Sequence, residues 1–218
     1  MTTSPQGNLE TYLSPTNFID SDSPDILRFA EKCAGTAESR IDKSIKIFYA
    51  VRDQIRYDPY HIELSPDTFK ASRVLAQRTG WCVEKALLLA AVARALDIPS
   101  RLGFADIRNH LVPEPLKKAM GTDVFVFHGY TEMFLNDRWI KATPAFDLSL
   151  CIKLNAVPVE FKGDEDAVFH TFDKKGNKHI EYIADHGSFA DLPLERIIAG
   201  FKKQYPMLFD RAEASGQL

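Results

Sequence analysis

The feature that most constrains the fold is an apolar run with helix-breaking residues at both ends. Gly80-Trp81-Cys82 leads into residues 83–96, which are nearly all apolar and small, and Asp97-Ile98-Pro99 ends the run. A helix that is apolar on all sides is buried on all sides. Its most apolar stretch, residues 86–93, is about half of the roughly 20 residues that would span a bilayer. The run therefore predicts a central helix of a soluble domain, with Cys82 at its first turn.

Length and composition favour one globular domain with elaborations. The chain has 218 residues, of which 45% are hydrophobic and 26% charged, close to average globular usage. The formal net charge is −3, and no basic patch is visible in the sequence. The composition thus argues against nucleic acid or an anionic membrane as a partner. We expect a single domain over residues 1–218, with residues 210–218 as a mobile tail.

The periodicity changes along the chain from helices to strands. Helices are predicted from Pro24, from just after Asp42, and over residues 72–76, 83–96, 115–120 and 193–203. A short strand is predicted over 101–105, a polar loop over 106–110, and further strands over 124–135, 138–143, 157–161 and 179–184. Helices followed by antiparallel strands indicate the α+β class, with the central helix packed against an antiparallel sheet.

The strands around Asn136-Asp137 predict a hairpin with a two-residue loop. In that register, paired position numbers sum to 273, so that Phe134 lies opposite Trp139 as a favourable aromatic pair. The same register places Thr143 opposite Tyr130.

Cysteine usage predicts a reducing compartment. Cys33, Cys82 and Cys151 form no CxxC pair and are odd in number, which excludes a disulfide framework. The polar N-terminus carries no signal-peptide pattern, so a cytoplasmic location is expected. Cys33 and Cys151 are interpreted as structural, because neither lies at a helix start.

Cys82 is the candidate nucleophile. At the first turn of a helix, the positive end of the macrodipole stabilises a thiolate, and free backbone N–H groups can hold a developing oxyanion. A thiol needs a base, usually histidine. His128 lies within a predicted strand, on the same face as Thr143 and diagonal to it, and is the candidate base.

The predicted loop after residue 105 is a candidate substrate-binding segment, because it groups Arg108, Asn109 and His110. The Arg108 guanidinium suits a carboxylate. Asn109 or Gln77 would supply a second oxyanion donor, and the sequence does not choose between them. No metal-binding or phosphate-binding motif occurs, and no cofactor or calcium is expected.

These residues together resemble the transglutaminase-like superfamily, and in particular small bacterial transglutaminase-like proteins. The resemblance covers about residues 45–147, and residues 1–44 and 148–218 are elaborations outside it. It is carried by four segments: Gly80-Trp81-Cys82, Ala93-Arg94-Ala95-Leu96-Asp97-Ile98-Pro99-Ser100-Arg101, His128-Gly129-Tyr130-Thr131-Glu132, and Trp139 followed by Thr143-Pro144.

The resemblance implies a papain-like α+β core and a Cys-His-Asp triad that acts through a thioester. Cys82 matches the nucleophile and His128 the base, whereas Thr143 occupies the position of the family's aspartate. Asp147 is the candidate substitute for the third member. Trp81 and Tyr130, beside the two matched residues, are added as candidate substrate-binding residues.

The expected activity is acyl transfer or hydrolysis of an amide, ester or thioester, including those of peptides. Two alternatives stay open: a catalytically degenerate binding or scaffold protein, and a biosynthetic enzyme acting on a carrier-bound thioester.

Overall fold

A computed structural model describes residues 9–206 and has mixed helices and strands. After a 3-10 turn at Leu9–Tyr12, the elements in chain order are α1 (Pro24–Ala34), α2 (Arg40–Gln54), β1 (Arg56–Tyr57), α3 (Ala71–Gln77), β2 (Thr79–Gly80), α4 (Cys82–Arg94), β3 (Ser100–Asn109), α5 (Glu114–Met120), β4 (Val124–Leu135), β5 (Arg138–Ala142), α6 (Leu148–Leu154), β6 (Ile180–Phe189) and α7 (Leu194–Gln204). The predicted tail at 210–218 lies outside the described residues.

The α+β prediction is confirmed. Four antiparallel strands form a sheet in the order β5-β4-β3-β6, and β1 and β2 make a separate parallel pair. Helix α4 packs against β3 and β4 of the sheet and contacts α1, α2 and α3.

All thirteen residues of α4 are buried, as its sequence predicts. Its charged side chains are satisfied inside the protein. Lys85 Nζ donates to the carbonyl oxygens of Arg52 and Ile55 at 2.9 and 2.6 Å, at the C-terminal end of α2. Arg94 donates to three backbone carbonyls, including that of Ser100. A buried charge without partners is costly, so both side chains must keep these hydrogen bonds. The bonds connect the central helix to its neighbours.

The hairpin register is also confirmed. Thr131 pairs with Ala142, and Phe134 with Trp139, around left-handed Asn136 and Asp137. Such a turn needs positive φ at both central residues, which Asn and Asp tolerate.

Two local predictions are wrong, and one helix is missed. Residues 106–109 are not a loop, because β3 continues through them and pairs with both β4 and β6. Residues 148–154, for which no element is predicted, form helix α6, which the Asp147 side chain caps by accepting from Leu150 N. Residues 157–161 form no strand.

Candidate active site

Helix α4 begins at Cys82, and the Glu84 side chain, from its first turn, caps the N-terminal end. The backbone N–H of Trp81, the N-cap residue, donates to Glu84 Oε2 at 3.1 Å. This is half of a capping box, because the indole of Trp81 has no acceptor to offer in return. The Cys82 side chain is 6% exposed.

Gly129 allows β4 to approach the first turn of α4. A Cβ atom at this position would lie 2.9 Å from the Cα of Val83, closer than real Cβ contacts. Only glycine therefore fits where the strand meets the helix start. As a result, the residues next to this contact, Cys82 on the helix and His128 on the strand, line one cavity.

The backbone of β4 is irregular immediately before His128. Phe127 has φ +54°, a left-handed conformation that is strained for an aromatic residue. Its N–H donates to Asp106 Oδ1 at 3.0 Å, and the same oxygen is 2.6 Å from His186 Nε2. The Phe127 ring stacks on the His186 ring at 4.1 Å. These contacts hold the bend in β4 immediately before His128, and the bend sets the direction in which the His128 side chain leaves the backbone.

Burial dominates the electrostatics of both candidate catalytic residues. It raises the pKa of the Cys82 thiol to about 12, an effect that the backbone amides of Gly129 and Val83 partly oppose. Burial also lowers the pKa of His128 to about 3. Both effects favour the neutral forms, so the resting pair at neutral pH is a thiol and an uncharged imidazole.

One nitrogen of the His128 imidazole has no partner. His128 Nε2 is buried without a hydrogen bond among residues 9–206, and the same is true of Thr143 Oγ1. The Phe169 ring packs on the imidazole at 5.0 Å. Burial raises the pKa of Tyr182 to about 12, and the nearby Thr143 hydroxyl partly opposes this, although their contact falls short of hydrogen-bond geometry.

Asp147 is engaged elsewhere. Its carboxylate accepts from Tyr57 N at 3.0 Å, Ser149 Oγ at 2.6 Å and Leu150 N at 2.9 Å. Burial by itself would raise the pKa of Asp147, but the hydrogen bonds from these donors outweigh burial, so the pKa is lowered. Asp147 thus caps α6, and its described hydrogen bonds do not include one to His128.

The candidate substrate-binding residues separate in space. Trp81 lines the cavity with Cys82 and His128, whereas Tyr130 lines a second cavity of about 360 Å³. The three residues at the end of β3 line neither. Arg108 Nε lies 3.3 Å from Asp123 Oδ1, Asn109 Oδ1 accepts from Leu111 N at 2.9 Å, and His110 Nε2 lies 3.3 Å from Glu181 Oε2. Gln77, the other proposed oxyanion donor, does not line the Cys82 cavity either.

The cavity around Cys82 has a volume of about 530 Å³, within the usual range of small-molecule sites. Besides β4 and the start of α4, its walls come from the segment 57–65, from α5 and from α7. The residues from these three elements are Tyr57, Pro59, Tyr60, Ile62, Glu63, Leu64, Ser65, Leu116, Ala119, Met120, Phe201 and Tyr205. The sequence motifs point to none of these residues. The one available signal is the helical spacing of Phe201 on α7 and Tyr205, the residue that caps its C-terminal end.

Between residues 9 and 206, no group of three or more His, Cys, Asp or Glu side chains is placed to bind a metal ion. Within the same range, no helix combines the length and the apolar character needed to cross a membrane.

Comparisons with known proteins gave a family match and similar solved structures. The family model described as the transglutaminase-like superfamily matches residues 27–144. A crystal structure of a proposed cysteine protease from Cytophaga hutchinsonii is similar with a TM-score of 0.51 and 21% identity, covering 83% of this chain and 66% of that one. A proposed protease from Parabacteroides distasonis has a TM-score of 0.40 and 16% identity, covering 62% of this chain and 25% of that one. The comparison with curated proteins gave no match.

Proposed function

Because the chain belongs to the transglutaminase-like superfamily, we propose that it is a cysteine-dependent acyltransferase or hydrolase with Cys82 as nucleophile and His128 as general base. The observation that carries the proposal is the cavity shared by these two residues, at the point where Gly129 lets β4 meet the start of α4. The expected substrates are amides, esters or thioesters. The three free thiols support a reducing compartment, and we place the reaction in the cytoplasm.

The proposed mechanism starts from the neutral pair. His128 Nε2 is sealed from solvent, which leaves Nδ1 as the nitrogen to accept the thiol proton while Cys82 Sγ attacks the carbonyl carbon. The amides of Gly129 and Val83 stabilise the thiolate as it forms. His128 then gives its proton to the leaving group, and water or an amine releases the acyl group from the thioester.

The third member of the triad is the open part of this proposal. We propose that Thr143 takes that role. Its hydroxyl would accept a hydrogen bond from the N–H of His128 Nε2, which that nitrogen carries whenever Nδ1 is free to take the thiol proton. Both atoms are buried without partners, so this bond is not formed in the structure. A Thr hydroxyl carries no negative charge, so it would stabilise the imidazolium less than the family's aspartate. Asp147 is the less favoured candidate, because its carboxylate already accepts three hydrogen bonds.

The test is acylation of the protein by a neutral activated ester, p-nitrophenyl acetate, followed by intact mass measurement and peptide mapping. We expect one acetyl group on Cys82, lost in Cys82→Ala and strongly slowed in His128→Gln. Cys151→Ala is the matched control, because Cys151 is also buried, has a pKa raised to about 11 by burial, and does not line the cavity. Acylation that spreads over Cys33 and Cys151, or that does not depend on His128, contradicts the proposal.

A second candidate function is a non-catalytic binding protein that kept the fold. The observation in its favour is that no carboxylate partners the buried Nε2 of His128 within residues 9–206. The same acylation experiment separates the two functions. A binding protein would show no acyl-Cys82 with any ester, and the His128→Gln variant would behave as the unchanged protein.

A further inference from the structure

The wall of the Cys82 cavity is mostly apolar. Leu116, Ala119 and Met120 on α5 and Phe201 on α7 line it, and the segment 57–65 contributes further aromatic and aliphatic side chains. Two large hydrophobic residues of this segment are exposed: Tyr60 exposes 61% of its surface and Ile62 exposes 37%. Exposed apolar side chains beside an apolar cavity are typical of a site that binds an apolar group.

Some polar groups of this wall are engaged, whereas Trp81 Nε1 is buried without a hydrogen-bond partner among residues 9–206. Tyr205 OH donates to Val124 O at 2.9 Å and accepts from Val126 N at 2.8 Å. Glu63 Oε2 lies 3.3 Å from the Arg73 guanidinium. No Lys or Arg side chain lines the cavity. An anionic acyl group would therefore lose its hydration without gaining a cation, which is costly.

We propose that the acyl donor of this site carries an uncharged apolar acyl chain of medium length, which the cavity binds next to Cys82. This inference rests on the proposed function, since it names the substrate class of the same nucleophile. With an ester as donor, the bond between Cys82 Sγ and the carbonyl carbon forms while the thiol proton passes to His128. The ester C–O bond then breaks, and the leaving group departs with the bonding electrons. Water then cleaves the thioester, which frees a carboxylic acid and restores the thiol.

Chain length should control the rate of acylation. Each methylene buried in an apolar site is worth about a fourfold increase in kcat/KM. The p-nitrophenyl esters of acetate, butyrate and hexanoate share one leaving group and differ only in chain length. We expect kcat/KM for hexanoate to exceed that for acetate on the order of a hundredfold. The p-nitrophenyl monoester of adipate, which ends the same chain in a carboxylate, should react far more slowly than the hexanoate.

A pair of variants on α5 tests whether this cavity is responsible. Ala119→Phe fills part of the cavity and should lower the ratio of the hexanoate rate to the acetate rate at least tenfold. Lys118→Phe introduces the same side chain at the neighbouring position, which is exposed and outside the cavity, and should leave the ratio unchanged.

The outcomes separate the inference from the proposed function. If no ester produces acyl-Cys82, the proposed function is wrong. If acyl-Cys82 forms but its rate is independent of chain length, or equal for adipate and hexanoate, the nucleophile stands and the apolar acyl class is wrong. A preference for peptide amides that shows no dependence on the length of an acyl chain would likewise overturn the inference.

Discussion

The contact between Gly129 and the start of α4 makes a sharp prediction about reactivity. In Gly129→Ala, the new methyl group would meet the Cα of Val83 at 2.9 Å and its Cγ2 at 3.1 Å. The Val83 Cα is backbone and cannot turn away, so strand and helix must separate by about 0.5 Å to bring 2.9 Å up to an ordinary contact of 3.4 Å.

That separation has two measurable consequences. Overpacking of this kind costs about 1–3 kcal/mol of unfolding free energy. It also moves Cys82 relative to His128, and because a misplacement of about 1 Å can cost about a hundredfold in rate, we expect acylation of Cys82 to slow about tenfold. Urea unfolding gives the first quantity, and the rate of acyl-Cys82 formation with p-nitrophenyl acetate gives the second.

Met133→Ala is the matched control for Gly129→Ala. Met133 is a fully buried residue of the same strand, and its truncation costs about 2–5 kcal/mol without adding an atom at the helix start. Under conditions where all proteins are folded, this control should acylate at the unchanged rate. A folded Gly129→Ala protein that acylates as fast as the unchanged protein would refute the role of this contact.

Three further changes test other contacts. The pKa of Lys85 is lowered from 10.5 to about 7 by burial, so the unfolded chain binds more protons between these values and stability should rise with pH from about 7 towards 10.5. Urea unfolding should show that the unfolding free energy of the unchanged protein rises by about 2 kcal/mol more than that of Lys85→Met between pH 7 and pH 9. Parallel pH profiles of the two proteins would contradict the lowered pKa of Lys85. Thr143→Val should leave stability undiminished, because its hydroxyl has no partner, and slow acylation about tenfold or more if that hydroxyl supports protonated His128. An unchanged rate removes Thr143 from the mechanism. Asp106→Ala should cost about 1–3 kcal/mol of unfolding free energy and slow acylation, because the Phe127 N–H loses its acceptor; a loss of stability alone would show that the bend does not position His128.

The errors in the predicted elements have physical causes. The sequence predicts a strand that ends at Ala105, because the polar residues that follow are typical of a loop. In the structure, Asp106 and Arg108 alternate with buried Ile107, as in a half-buried strand, while the β3–β4 register shifts at Asp106. For α6, the side chain of Asp147 was available as an N-cap signal just before the helix.

The sequence by itself determined the central helix with Cys82 at its start, and the register of the hairpin between β4 and β5. Both follow from local periodicity and turn chemistry, which depend on residues close together in the chain. The tertiary structure alone decided which residues form the cavity, because its walls join the segment 57–65, α5 and α7, and Tyr57 and Tyr205 are far apart in sequence. It also decided that the Asp147 carboxylate accepts a further hydrogen bond from the distant Tyr57 N, besides those from its local partners Ser149 and Leu150. Contacts between distant segments depend on how the elements pack, and no local pattern records that packing.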